Sequence, residues 1–144
     1  MTTITSAIKK VTSTITTTGT FTAKIEKQPD FIADSVNVYK DIDGYIHLSG
    51  KETYPNGDDR ILYIIPEKDV KNGQHTFPQG ISHIIFSTRI GGITDTARII
   101  EGNCTINFDE IKEHYKMSFH VKVKNHDGVL IDILGNLDLN HPMD

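Results

Sequence analysis

From Gly19 onward the apolar positions of this chain recur at every second residue. Phe21, Ala23 and Ile25 alternate with Thr22, Lys24 and Glu26, the pattern of a strand with one face on a core and the other in water, and Pro29 ends it. Val36 and Val38 mark a strand over Ser35 to Lys40, and Tyr45 to Ser49 reads as its partner. The Asp43-Gly44 pair between them predicts a tight hairpin, because glycine supplies the positive φ that such turns demand. Arg60 to Ile65 is a nearly continuous apolar run stopped by Pro66, which predicts a strand buried on both faces. Short strands follow at Gln74 to Phe77, Ile81 to Arg89, Thr94 to Ile100 and Asn103 to Phe108. Gly91-Gly92 breaks the chain before the third of these, and Gly102 opens the fourth, where Cys104, Ile106 and Phe108 share a face. Asp109 to His114 reads as one short helical turn. Met117, Phe119, Val121 and Val123 then point one way, with Ser118, His120, Lys122 and Lys124 opposite. Asn125 to Gly128 is a hairpin turn, and Val129 to Leu139 returns, with Gly135 as a bend or bulge.

Turn signals spaced about 8 to 12 residues apart predict an all-β protein, an antiparallel β-sandwich or flattened β-barrel of about eight to ten strands. Residues 1–18 differ. They are rich in Thr, and Ile4, Ala7, Ile8, Val11 and Ile15 fall at helical offsets, so this stretch reads as a short amphipathic helix or an extended arm. The chain therefore divides into an arm at 1–18, one all-β domain at 19–139 and a tail at 140–144.

Composition supports the sheet. Among 144 residues there are 21 Ile, 7 Val and 16 Thr against 6 Leu and 4 Ala, a bias toward β-branched side chains that lose rotamer freedom in helices and pack well on pleated surfaces. A formal charge of −4 argues against nucleic acid as a partner, since that affinity rests on clustered Lys and Arg. One cysteine cannot form an internal disulfide. No stretch approaches the roughly 20 apolar residues that span a bilayer, and no apolar signal segment is evident. The expectation is a cytoplasmic protein without a membrane span.

Chemistry-bearing motifs are sparse. His114, His120 and His126 are evenly spaced by six, but on a strand rising about 3.3 Å per residue they lie roughly 20 Å apart and cannot share an ion. His120 reads as a solvent-face residue, and His47, His75 and His83 lie on or near strands whose approach a single sequence leaves open. Asp41, Asp43 and Glu52 imitate the ends of a calcium loop, yet Ile46 stands where such a loop needs glycine. Cys104 falls on the apolar face of a strand, where a thiol behaves as a small hydrophobe. No Gly-x-Ser-x-Gly elbow, dinucleotide loop or phosphate loop is present. No catalytic residue, metal site or cofactor is therefore assigned. The candidates for ligand contact are the five tyrosines, Tyr39, Tyr45, Tyr54, Tyr63 and Tyr115, because amphipathic rings on loops or barrel mouths stack on small molecules. The parity of Tyr39 turns it away from Val36 and Val38.

Several phrases together resemble a known layout. Gly19 to Ile25, Leu62 to Pro66 followed by Val70 to Phe77, Glu101 to Asp109, and Met117 through Gly128 to Leu139 are similar to a group of small bacterial β proteins of unknown function with lipocalin-like or sandwich cores. The resemblance covers about residues 19 to 139 and implies a β fold without catalytic residues. Met117-Ser118 departs from the Ser/Gly-Thr pair usual in that group. The reading that follows is a non-enzymatic module binding a small apolar or amphipathic ligand, or a protein partner, at an open end of the sheet. Two others remain beside it: a homo-oligomer assembled through edge strands and the N-terminal arm, and a carbohydrate-binding or hydrolytic protein.

Overall fold

The computed structural model describes residues 16–141; the arm or helix expected over 1–18 lies almost wholly outside that span. The described residues form ten antiparallel strands and no helix. These are β1 (Thr18–Ile25), β2 (Phe31–Ile32), β3 (Ser35–Lys40), β4 (Ile46–Thr53), β5 (Asp59–Pro66), β6 (Gly73–Thr76), β7 (Ile81–Ile90), β8 (Ile93–Asp109), β9 (His114–Asn125) and β10 (Leu130–Asn140). Their order across the sheet is β2-β1-β10-β9-β8-β7-β5-β4-β3, with β6 also paired to β8. The sheet curls into a half-barrel, so the all-β antiparallel fold expected from the sequence as a sandwich or flattened barrel is what forms.

Alternation explains the interior. Phe21, Ala23 and Ile25 of β1, Leu48 of β4, Leu62 and Ile64 of β5, Phe119, Val121 and Val123 of β9, and Ile133, Leu137 and Leu139 of β10 all point inward and are buried in one cluster. Burial of each such side chain contributes roughly 1.5–3 kcal/mol. Phe21 meets Phe31 and Phe119 edge to face, at centroid distances of 5.9 and 6.3 Å. The two edges of the curled sheet approach one another, and the Val38 N–H on edge strand β3 donates to Thr17 Oγ1 at 3.1 Å.

Three local expectations are corrected, and one, the Gly91-Gly92 break, is given its geometry. Asp109 to His114 contains a hairpin turn between β8 and β9 instead of a helical turn, pinned where the Lys112 N–H donates to Asp109 Oδ1 at 3.1 Å. The Gly91-Gly92 break is a two-residue hairpin tip, both glycines having positive φ (59° and 81°), as a mirror-image turn requires. The two strands expected on either side of Gly102 are one strand of 17 residues. A bulge between Ile99 and Glu101 inserts one residue, so inward positions are odd before it (Ala97, Ile99) and even after it (Cys104, Ile106). The break in phase came from a bulge and not from a chain end. Gly135 is no bend either, for its register runs unbroken between Ala23 and Phe119. It is glycine because a Cβ there would lie 2.3 Å from the Phe119 ring.

Candidate functional site

The curl gives the half-barrel two ends. At one, the β1–β2 loop, the β4–β5 hairpin, the β7–β8 tip and the β9–β10 hairpin gather; the β3–β4 and β8–β9 hairpins lie at the other. Arg60 opens β5 at the first end with the same parity as Leu62 and Ile64, so it points into the interior and is only 3% exposed. Its partner Glu52 stands directly opposite on β4. Arg60 Nε and Nη2 donate to Glu52 Oε1 at 2.9 and 2.6 Å, Nη1 to the Pro29 carbonyl at 2.9 Å and to Gln28 Oε1 at 3.3 Å, and Nη2 to the Asp30 carbonyl at 2.9 Å. All five guanidinium protons are thereby used. The guanidinium also lies 5.8 Å from the centroid of the Phe31 ring. Glu52 is equally engaged: it accepts from the Tyr54 hydroxyl and, through Oε2, from the Ile32 N–H at 2.9 Å. Burial alone would raise its pKa, but the bonds from Tyr54, Ile32 and Arg60 outweigh that and hold the carboxyl below its ordinary value.

The Arg60–Glu52 pair fixes the β1–β2 loop to the β4–β5 hairpin and leaves a groove of about 620 Å³ between them. Lys27, Gln28 and Pro29 form one wall, and Tyr54, Pro55, Asn56 and Asp58 the other, with Arg60 beneath and Thr88 and Ile90 from the end of β7. The hairpin wall is itself braced. The Asp58 N–H donates to Asn56 Oδ1 at 3.0 Å, Asn56 Nδ2 donates to Asp58 Oδ2 at 3.1 Å, and the Gly91 N–H donates to Asp58 Oδ1 at 3.0 Å. The groove is apolar along Pro29, Pro55, Tyr54 and Ile90 and polar at its rim, the make-up of a small-molecule site. Ile90 is 58% exposed.

A second cluster lies on the outer face of β3, β4 and β5. The Tyr39 ring stacks on His47 at 4.4 Å with an 11° tilt, and Tyr63 meets His47 edge-on. Asp41 Oδ1 accepts the Asp43 and Tyr45 N–H groups, both at 2.9 Å, which ties the hairpin turn, while Oδ2 lies 2.8 Å from His47 Nε2. The hydrogen bond from His47 lowers the Asp41 pKa. His47 Nδ1 is hydrogen-bonded to the Tyr63 hydroxyl, and Tyr63 Oη in turn lies 3.4 Å from Tyr39 Oη. Burial, then the contact with Tyr39, pushes the Tyr63 phenol up to about 12. Tyr63 therefore keeps its proton at neutral pH and serves as a hydrogen-bond donor.

The five tyrosines thus part company. Tyr39 and Tyr63 meet at His47, and Tyr45 sits half-buried in the adjoining turn. Tyr54 lines the groove at the opposite end. Tyr115 is a core residue, 2% exposed and edge-on to Phe108 at 5.1 Å, its phenol pushed up to about 12 first by burial and then by Glu113 and Glu110. Arg60 and Glu52 are absent from the sequence-based candidates for ligand contact, as are Lys27, Pro29, Pro55 and Ile90. The signal that would have found the first two is their symmetric placement about the Tyr54–Asp58 turn, which puts opposite charges face to face across a hairpin. The histidines on the outer sheet pair with carboxylates, His114 Nε2 at 2.6 Å from Asp138 and His120 Nε2 at 2.9 Å from Asp132. Among the described residues no group of three His, Cys, Asp or Glu side chains could hold a metal ion, and no helix is long and apolar enough to cross a membrane.

In comparisons with known proteins, no family model, no curated protein and no solved structure matches this chain.

Proposed function

We propose that this protein is a non-enzymatic binding module of the bacterial cytoplasm that holds a small amphipathic molecule in the groove beside Arg60. The observation that carries the reading is the bracing of that groove. The buried Arg60, fully hydrogen-bonded to the half-buried Glu52 and to the β1–β2 loop carbonyls, ties both walls together before any ligand arrives, so binding costs little ordering of the protein. The interior of the half-barrel is filled by Phe21, Phe31, Phe119 and their neighbours, which leaves the end of the sheet as the place for a guest.

A thermal-shift screen with 2-naphthylmethanol, decan-1-ol and octyl glucoside tests this. Binding to the native state alone raises Tm by mass action, about 2.7 kcal/mol of stabilisation when the probe is a hundredfold above its Kd. The reading expects at least one probe to raise Tm in the parent protein and to do so less in Ile90→Asn, a change at an exposed groove residue. A rise of equal size in both proteins, or no rise with any probe, contradicts it.

A further inference from the structure

We propose that the ligand of this groove is a flat cyclic acid, its ring against Tyr54, Pro29 and Pro55 and its anionic group at Lys27. The inference rests on the binding role argued above and names the chemistry of the guest. Three observations support it.

The first is rigidity. Pro29 and Pro55 have fixed rings, and Tyr54 is pinned at its hydroxyl by Glu52. The ring-bearing parts of these walls favour a planar, equally rigid partner over a flexible chain, because less rotamer freedom is given up on contact.

The second is backbone strain at Lys27, which has φ of 60° in a turn closed by the Gln28 N–H donating to the Ile25 carbonyl at 3.0 Å. That conformation suits glycine, and a lysine there adopts it at a cost. Strain at a groove rim points to a role for the side chain that glycine would not fill.

The third is the distribution of charge. Arg60 is neutralised by Glu52, and the Asp58 carboxylate, which keeps its charge, is held on the opposite wall by the Asn56 amide and the Gly91 N–H. Among the described residues Lys27, exposed on the facing wall, takes part in no ion pair. It is the lining cation left to meet an anion.

The test compares 2-naphthoate with its neutral analogue 2-naphthylmethanol, titrated by fluorescence into the parent protein and into Lys27→Gly. Glycine takes up the same turn without strain, so the fold is retained, and an undiminished Tm checks this. The expected result is tighter binding of 2-naphthoate than of 2-naphthylmethanol, and a loss of about fivefold in 2-naphthoate affinity in Lys27→Gly, the upper range for a solvent-accessible ion pair. Affinity for 2-naphthylmethanol stays unchanged, and added salt weakens only the acid. A change of less than twofold for 2-naphthoate, with 2-naphthylmethanol still bound, overturns the anionic assignment and leaves the binding role standing. Failure of both probes to bind overturns the assignment together with the reading it rests on.

Discussion

Phe21 of β1 and Gly50 of β4 touch across the interior of the half-barrel: a Cβ placed on Gly50 would lie 2.9 Å from the Phe21 ring. The two strands are not neighbours in the sheet, so this contact exists only because the sheet curls and brings its ends together. The absence of one side chain on β4 is what admits the largest side chain of β1.

Gly50→Ala should therefore destabilise the protein by about 1–3 kcal/mol, the usual cost of overpacking a filled core. Phe21→Leu should lose stability by itself yet recover part of the cost when combined with Gly50→Ala. Denaturant unfolding of the four proteins in a double-mutant cycle checks this. Strict additivity would mean that the two residues do not meet.

The Glu52 carboxyl predicts an acid limb of stability. Its pKa in the folded protein lies below the ordinary 4.5, because the bonds from Tyr54, Ile32 and Arg60 outweigh burial. A depressed carboxyl contributes stability that is complete above its unfolded value and is lost as pH falls through the lower folded one. The parent protein should thus lose stability below about pH 4.5, and Glu52→Gln should show a shallower decline over that window while being less stable at neutral pH. Unfolding midpoints between pH 3 and pH 7 give the comparison. Removing the other partner, as in Arg60→Met, should cost about 1–3 kcal/mol, because the Pro29 and Asp30 carbonyls and the half-buried Glu52 lose their donor.

At the alkaline end the sign reverses. Tyr63 and Tyr115 are pushed from an ordinary 10.0 up to about 12, so the protonated phenols favour the folded state. That contribution is complete below pH 10 and is lost as pH rises toward 12. Ultraviolet titration of phenolate should show Tyr54, Tyr63 and Tyr115, all raised by burial, ionising later in the native protein than in the unfolded one. Tyr115→Phe and Tyr63→Phe should each remove one late-titrating group.

The Cys104 thiol is 3% exposed and raised by burial to about 11. Because the thiolate is the reactive form, a disulfide reagent at neutral pH should modify it only when the protein unfolds. Modification at the rate of a free thiol would contradict the burial.

Parity along single strands was legible from sequence, as β1 and β9 show: Phe21, Ala23, Ile25, Met117, Phe119, Val121 and Val123 all lie where alternation placed them. What escaped reading depends on neighbours. The run Arg60 to Ile65 reads as buried on both faces, but its alternate residues Ile61, Tyr63 and Ile65 lie half-exposed on the outer face, and the fully buried positions are Arg60, Leu62 and Ile64. An arginine at the start of an apolar strand looks like a solvated end until Glu52 and the carbonyls of the β1–β2 loop are seen around it. In the same way Tyr39 facing His47 follows from the hairpin register, whereas Tyr63 joins them only through the pairing of β4 with β5. The groove combines two loops 25 or more residues apart in the chain with the end of β7, and no local pattern encodes that meeting.

The central claim is that the end of the sheet beside Arg60 is a ligand site. Titration calorimetry of 2-naphthylmethanol tests it most directly, with the parent protein, Ile90→Asn in the groove, and Leu134→Asn on the outer face of β10. The expected result is measurable binding to the parent and to Leu134→Asn, and binding weakened at least tenfold in Ile90→Asn. Equal affinity for all three proteins, or heat from none of them, would contradict it.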